Sequence, residues 1–289
     1  MPNSIELFKQ YIPLLDEVYK TSSLTSVLDG ASELATQGAN ANEMIIQKMS
    51  MDGLGDYDRN SGYVKGSVNM TNETVKCNFD RGRMFSVDNM DNVETAGMAY
   101  GRLAAEFIRT KVNPELDAFR FATYAGIAGI GTASGALATG ESVLAAVAKA
   151  YDDMTDAEVP ESDRHLFITP VLRGLIRDMD TTKSKEVMSK FASVTSVPQS
   201  RFYTAIDQYS GGTGEETGGY AKSAGGVNIN FMIVHKPAVI QFQKHVAPKV
   251  VTPEQNQEAD AWKFGYRNVG IAEAYENKVA GIYLHKATT

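Results

Sequence analysis

The sequence has little of the chemistry on which most enzymes and metalloproteins rely. Its 289 residues contain one cysteine, Cys77, so neither an internal disulfide nor a cysteine-based zinc site can form. Among its four histidines, no two have the H-x-x-x-H or H-E-x-x-H spacing that places a metal pair on a helix. We therefore expect His165 and His235 to be structural residues, and we predict no metal and no cofactor.

Long apolar stretches and basic runs are also missing. No window approaches the roughly 20 apolar residues that span a bilayer, and charged residues interrupt the first 20 positions, unlike a secretory signal. We expect synthesis in a cytoplasm and no membrane association. The net charge of -7, without a run of five basic residues, argues against a protein whose main work is to bind nucleic acid.

Common catalytic motifs are absent as well. Gly129, Gly131 and Gly135 give G-x-G-x-x-x-G without a following Gly-Lys-Ser/Thr, which is the wrong spacing for a phosphate loop. No G-x-S-x-G motif occurs. The acidic pairs at 152–153 and 215–216 lie in polar segments, whereas acid–base catalysis needs burial to shift their pKa values. We therefore predict that the chain is not an enzyme.

The chain begins with a pattern that is typical of an arm. From Ser4 to Leu28, interrupted by Pro13, apolar residues recur at helical spacing, and they are Ile5, Phe8, Ile12, Leu15, Val18 and Tyr19. The polar, glycine-containing stretch DGASELATQGANANE follows. An amphipathic segment on a loose tether is common in assemblies.

A long β-hairpin is predicted next. EMIIQKMSM is typical of a strand, DGLGDYDRNSG is rich in turn formers, and Tyr63 to Met70 is predicted as the returning strand. The tip carries more charges than its own core could bury, and these are Asp52, Asp56, Asp58, Arg59 and Lys65. We interpret the hairpin as a projecting arm; an edge hairpin lying flat on the same subunit is the alternative. An extended run from Val75 to Val87 follows, with Arg81 and Arg83 on one parity.

A long helix and an α/β region complete the pattern. The helix is predicted from Asn92 to Asn113, about 33 Å at ~1.5 Å per residue, and Pro114 should end or kink it. A glycine-rich hinge places a domain boundary near Ile130. Helices and strands then alternate: HLFIT as a strand, a helix opening at Pro170, NINFMIV as a strand, and a short helix through Val239 and Phe242. Two apolar runs around 276–278 predict a closing hairpin beside the long helix.

This order of parts closely resembles the major capsid proteins of tailed bacteriophages with the Hong Kong 97-type fold, an α+β fold. The residues that carry the resemblance are SIELFKQYIPLLDEVYKTSSLTSVLDG, FDRGRMFSVDNMD, RLAAEFIRTKVNPELDAFRFATYA, FITPVLRGL, VPQSRFYTAID and FMIVHKPAVIQFQKHVAPKVVTPEQNQEADAWKFGYR. Together they cover essentially the whole chain.

The resemblance implies an architecture and a set of partners. It implies an N-terminal arm at 1–42, an extended loop at 43–87, a peripheral domain at 88–130, an axial domain at 131–247 and peripheral C-terminal strands at 248–289. Copies of the chain would form pentamers and hexamers of a shell that encloses DNA without sequence-specific binding. Scaffolding, portal and decoration proteins are further expected partners. The virion is the expected location, with assembly in the bacterial host cytoplasm.

The same resemblance suggests residues at contacts between subunits, in the extended loop, on the following strand and in the loop 252–260 at three-fold axes. These are Asp56, Tyr57, Arg59, Tyr63, Lys65, Arg81, Arg83, Glu254, Asn256 and Glu258. Some relatives cross-link a lysine of the extended loop to an asparagine near the three-fold loop with the help of a buried glutamate. Lys65, Asn256 and Glu258 occupy comparable positions, but an ordinary surface lysine is favoured because a solvated lysine stays protonated.

Two other functions stay open at this point. An encapsulin-type nanocompartment uses the same fold to enclose an enzyme, and it would have a cargo-docking pocket on its inner face. A metabolic α/β enzyme would bind a nucleotide at the glycine-rich hinge, against which the spacing there argues.

Overall fold

The structure is a computed structural model that describes residues 23–30, 36–37, 43–57, 59, 62–90, 103, 105–179 and 181–288. The strands are β1 (Thr36–Gln37), β2 (Glu43–Met51), β3 (Val68–Lys76), β4 (Phe79–Asp88), β5 (Gly131–Ser134), β6 (Arg164–Ile168), β7 (Ser193–Ser196), β8 (Ile206–Gln208), β9 (Tyr220–Lys222), β10 (Ile229–His235), β11 (Val239–Val251), β12 (Ala261–Ala274) and β13 (Ile282–Lys286). The α-helices are α1 (Asn113–Gly126), α2 (Gly140–Asp156), α3 (Pro170–Met179) and α4 (Thr182–Ser189).

A five-stranded sheet in the order β5-β13-β10-β6-β7 carries the main core. Successive side chains of β10 point to opposite faces, as the period of a strand requires. Phe231 and Ile233 pack in a cluster with residues of α2, α3 and α4, whereas Met232 and Val234 pack in a second cluster with Phe121 of α1. Both faces are therefore covered, which explains why NINFMIV is an almost unbroken apolar run.

The hairpin arm, which we define as residues 43–76, forms as predicted. Strands β2 and β3 pair in antiparallel register from Glu43↔Lys76 to Met51↔Val68. The returning strand begins at Val68, five residues later than predicted, so the tip is longer. The arm forms a separate sheet with β1, and among the described strands none of that sheet is hydrogen-bonded to another sheet.

The sequence pattern predicts that Pro114 either ends or kinks the long helix. The helix does not end there. Residues 105–107 are helical, a π-helical turn follows over Ile108–Val112, and α1 continues from Asn113. A proline inside a helix lacks one amide donor and its ring collides with the carbonyl four residues earlier. The wider π turn directly before Pro114 accommodates both effects. Residues 92–102 of the predicted helix, and residue 104, lie outside the described residues.

Two predictions for the last third of the chain are wrong. Val239 begins a strand rather than a helix, because Lys236–Ala238 makes only one 3₁₀ turn before β11. The predicted closing hairpin does not form, since β12 pairs with β11 and β4 whereas β13 pairs with β10 and β5. One 3₁₀ segment, Glu276–Gly281, carries the chain from one sheet to the other.

The glycine-rich hinge is partly a strand. Gly131 opens β5, which lies parallel to β13, and a Cβ atom there would come within 2.5 Å of the Tyr283 ring. This glycine therefore serves close packing between neighbouring strands rather than flexibility. The domain boundaries predicted from the resemblance stay predictions.

Candidate assembly surfaces

The tip of the hairpin arm is closed by Asp52 and Ser67. The Ser67 amide and hydroxyl donate to one Asp52 carboxylate oxygen at 2.7 and 2.9 Å, and the Asp52 amide donates to the Ser67 carbonyl at 3.2 Å. These donors lower the pKa of Asp52, because they stabilise its charged form. Beyond this closure, the rings of Tyr57 and Tyr63 meet edge to face at 4.9 Å.

The arm exposes apolar side chains that the described part of the chain does not cover. Met49 lies directly opposite Met70, and Met51 lies opposite Val68, so the four share one face of the hairpin. Each is more than half exposed, and Leu54 at the tip is fully exposed. The other exposed apolar residues of the tip are Tyr57, Tyr63 and Val64. A contiguous apolar surface of this kind marks an interaction site.

The predicted tip residues that the structure describes are accessible, and Asp58 lies outside the described residues. Asp56, Arg59 and Lys65 are exposed, and they belong to the same tip segment as Tyr57 and Tyr63.

The predicted three-fold loop is held by its own side chains. A 3₁₀ turn spans Pro253–Gln255, and the Asn256 side-chain amide donates to the Ala261 carbonyl at 2.9 Å. Glu258 pairs with Lys263, which lowers the pKa of Glu258. Glu254 and Glu258 are exposed. Within one subunit Glu258 is thus solvated, unlike the buried glutamate that cross-linking relatives use.

Arg81 and Arg83 have partners in their own chain. Arg81 lies 2.8 Å from Glu115 and donates to the Tyr209 carbonyl at 2.7 Å, and Arg83 donates to the Glu216 carbonyl at 2.6 Å. Both arginines therefore join β4 to the loop around β9. Their predicted contact with a neighbouring subunit is not tested by these bonds.

A buried polar cluster, absent from the sequence prediction, holds the start of the described chain. Asp117 of α1 is fully buried and pairs with Arg201 at 2.9 Å. It also accepts from the Ser23 hydroxyl at 2.8 Å, the Leu24 amide at 3.0 Å and the Thr25 hydroxyl at 2.8 Å. A buried carboxylate is tolerated only with such a complete set of donors.

The cluster extends along α1 and β11. Arg120, which is 2% exposed, donates to the Thr25 hydroxyl at 2.8 Å and lies 3.2 Å from Asp29. Gln241 donates to the Thr25 carbonyl and to Asp29 and accepts from the Tyr124 hydroxyl at 2.7 Å. These residues bind part of the predicted N-terminal arm (1–42), not the hairpin arm. We call Asp117, Arg120, Tyr124, Arg201 and Gln241 the arm-root cluster. The one sequence signal for it is the pair of charges, Asp117 and Arg120, in a stretch of α1 whose neighbouring residues 116, 118, 119, 121 and 122 are apolar.

The histidines have structural surroundings. His165 Nδ1 lies 2.7 Å from the Ser193 hydroxyl, and the His285 ring stacks on Phe231 at 4.9 Å. Burial lowers the pKa values of His165, His235 and His285, because it disfavours the charged imidazolium. No group of three potential ligands among His, Cys, Asp and Glu that could hold a metal occurs in the described residues. Over the same residues, no helix is long and apolar enough to cross a membrane.

Several solved phage capsid structures resemble the chain along nearly its whole length. The asymmetric unit of the bacteriophage PhiM1 mature capsid matches with a TM-score of 0.67 at 12% identity, over 99% of this chain and 93% of that chain. The chain has the fold of a phage capsid subunit. The capsid of Cyanophage P-SCSP1u matches with a TM-score of 0.62 at 12% identity, over 98% and 93%.

A second kind of shell matches over less of the chain. The virus-like particle from Pyrococcus furiosus has a TM-score of 0.50 at 10% identity, over 82% of this chain and 86% of that chain. No protein-family model and no curated protein matches the sequence. The capsid fold predicted from the sequence is confirmed. At sequence identities this low, the similarity shows the fold.

Proposed function

We propose that the chain is the major capsid protein of a tailed bacteriophage, whose copies assemble into the icosahedral shell around packaged double-stranded DNA. The observation that carries the proposal is the hairpin arm. It projects eight exposed large apolar residues, from Met49 to Met70, on a subunit whose full length has a capsid fold. An apolar arm of this kind would be covered by a second copy of the chain.

The contacts follow from the two exposed regions. In the proposal the tip residues 56–65 and the loop residues 254–258 face neighbouring subunits around the capsomers and the three-fold axes. Arg81 and Arg83 would also contact a neighbouring subunit, besides holding the loop around β9 in place. Each interface would be modest, and the shell would draw its strength from repetition by symmetry.

The remaining parts of the proposal concern chemistry and partners. The chain would work without catalysis and without a cofactor, and its location would be the virion after assembly in the host cytoplasm. Pentamers and hexamers of the chain, scaffolding protein, portal and decoration proteins are the proposed partners. A net charge of -7 fits a container along which DNA must move without sticking.

Electron microscopy of the purified protein, together with size-exclusion chromatography, tests the proposal. We expect closed shells, tubes or capsomer rings, alone or with scaffolding protein. A protein that stays monomeric both alone and with scaffolding protein would contradict the proposal.

The nanocompartment is the second candidate, because the virus-like particle shares the fold. The content of particles isolated from the native source separates the two candidates. DNA inside the particles supports the phage capsid, whereas protein cargo without DNA supports the nanocompartment.

A further inference from the structure

Residues 206–222 form a hairpin, which we call the flap, that stands apart from the hydrophobic core. Its strands β8 and β9 pair with each other and with none of the other described strands. No residue from 203 to 225 is buried, and none packs in one of the described hydrophobic clusters. Segments with few buried apolar contacts open at a low cost in free energy. The position of the flap therefore depends on polar bonds rather than on core packing.

The base of the flap is fixed to the body of the subunit. Phe202 and Ile229, which precede and follow the flap, are fully buried, and the Ile229 amide donates to the Phe202 carbonyl at 3.0 Å. The Tyr220 hydroxyl, from the last strand of the flap, donates to the Ser200 carbonyl at 2.9 Å. Because the base is fixed and the rest of the flap has no core, this end is the natural hinge.

The far part of the flap, residues 209–219, is held from outside by two arginines of β4. Arg81 Nη2 donates to the carbonyls of the first and last residues of this part at 2.7 and 3.4 Å. Arg83 Nη2 donates to the Glu216 carbonyl at 2.6 Å. The other hydrogen bonds that this part makes with described residues stay within the flap. Since hydrogen bonds from a charged donor are stronger than neutral ones, the two arginines are the main hold on the flap.

The tip of the flap is shaped to receive Arg83. A Cβ atom at Gly211 or Gly218 would come within 3.1 or 2.9 Å of Arg83 Nη1, and both glycines have a positive φ. The Glu215 carboxylate accepts from the Ser210 amide at 2.6 Å and from its hydroxyl at 2.8 Å, and these bonds lower the pKa of Glu215. The tip is therefore bonded internally and can move as one unit.

Arg81 is itself anchored to α1. Its Nε lies 2.8 Å from Glu115 Oε1, and the Glu115 side chain is 13% exposed. Gln208, in the first strand of the flap, donates to the same carboxylate oxygen at 3.2 Å. A partly buried ion pair is screened less by salt than a surface pair. Arg81 thus joins the flap to the helix just after its π-helical turn.

The flap forms one wall of an open groove of about 1000 Å³, and strands β4 and β12 with the π-helical turn form much of the rest. Three aromatic rings pack together in that part of the wall, with Phe107 4.8 Å from Phe85 and 6.2 Å from Tyr266. Groove space, rather than packed side chains, lies next to the flap. Movement of the flap would therefore change the exposure of these rings without breaking a core.

We propose that the flap is a movable wall of the groove, hinged at its base and latched by Arg81 and Arg83. While both arginines are bonded to it, the flap stays against β4. When they release it, the flap swings out from its base and opens the groove to solvent. This inference goes beyond the capsid proposal and does not depend on it, because it concerns the single subunit.

Distances between pairs of spin labels, measured by double electron–electron resonance on the full-length, unassembled protein, test the latch. Cys77 is replaced by serine, so that labels attach only to introduced cysteines. Thr213→Cys at the exposed tip of the flap is paired with Lys249→Cys, exposed on β11. Ser189→Cys, exposed at the end of α4, is paired with Lys249→Cys as a reporter of the body.

The latch is removed by combining Arg81→Ala with Arg83→Ala. Arg267→Ala is the matched control, because Arg267 belongs to the same sheet and has a carboxylate partner, Asp80 of β4, but makes no bond to the flap. Both proteins are measured with each pair of labels.

We expect loss of both arginines to raise the population at a second Thr213–Lys249 distance at least about five-fold. The Ser189–Lys249 distance should stay unchanged, and Arg267→Ala should change neither distance. An unchanged Thr213–Lys249 distribution after loss of both arginines would overturn the inference. An equal change in the Arg267→Ala protein, or in the Ser189–Lys249 distance, would also overturn it, because the effect would then be a general loosening of the subunit.

Discussion

The hairpin arm and the arm-root cluster place polar and apolar side chains in opposite environments. The arm exposes methionines and tyrosines to solvent, whereas the cluster buries Asp117, Arg120 and Arg201. The buried charges are bonded within the chain, so folding of one subunit satisfies them. The exposed apolar residues have no such cover among the described residues of their own chain. The arm-root cluster therefore stabilises the single subunit, whereas the hairpin arm would join one subunit to another.

Loss of Asp117 should have the largest effect on folding. Asp117→Ala leaves the Arg201 charge buried without its carboxylate, and it also releases Ser23 and Thr25. Breaking a buried pair by removing one partner costs about 3–5 kcal/mol. Urea unfolding of the unassembled subunit measures this cost. Asp178→Ala, which removes an exposed ion pair, is the control and should cost less than ~0.5 kcal/mol. Similar values for the two variants would contradict the role of the cluster.

Gly131→Ala should have an intermediate effect. Its new Cβ atom would lie 2.5 Å from the Tyr283 ring, and overpacking of this kind costs about 1–3 kcal/mol. Gly174→Ala in α3 meets nothing within 4 Å and should stabilise the helix by up to ~1 kcal/mol. Opposite signs of the change in unfolding free energy are the expected result. A neutral Gly131→Ala would favour the hinge interpretation over a packed strand.

The histidine-linked pH effect should be confined to the body, because the described arm carries no histidine. Burial lowers the pKa of His165, His235 and His285, despite nearby Asp163 for the first two. The unfolded chain takes up protons below about pH 6.5, and the folded chain does so only at lower pH. Stability is therefore fully present above pH 6.5 and falls as the pH drops through the folded values.

Urea midpoints at pH 7.5 and pH 5.5 check this sign. His285→Gln should reduce the difference between the two midpoints, because one of the three protonation sites is then missing. A midpoint that rises on acidification would show that the histidines gain partners when charged, contrary to their surroundings.

The sequence predicted secondary structure correctly where residues close in sequence determine it. Alternation and turn formers predicted β2, and Pro170 marked the start of α3. The prediction failed where pairing with a strand distant in the sequence determines the structure. The runs around 276–278 looked like a hairpin, yet they do not pair with each other. β12 pairs with the preceding β11 and with the distant β4, whereas β13 pairs with the distant β10 and β5.

The candidate surfaces also include one that the sequence could predict and one that it could not. The charged arm tip could be predicted, because its charges are too dense to bury. The arm-root cluster could not, since Asp117 and Arg120 have the spacing of ordinary surface charges on a helix. Only the folded chain brings Arg201 and Ser23 to them.

The smallest effect on folding, with a large effect on assembly, should come from the arm. Met49→Lys with Met70→Glu replaces one cross-strand apolar pair by an ion pair. Ser50→Lys with Asn69→Glu makes the same change at the adjacent pair on the opposite face. Both pairs are exposed, so each double variant should change the unfolding free energy by no more than ~0.5 kcal/mol.

Assembly should nevertheless distinguish the two faces. If the methionine face is covered by another subunit, desolvating the new charges there should abolish shells in electron microscopy. The serine–asparagine variant should still assemble. Shells from both variants, with unchanged stability, would mean that the apolar face stays open in the assembled state, and the arm would then join subunits through its charged tip alone.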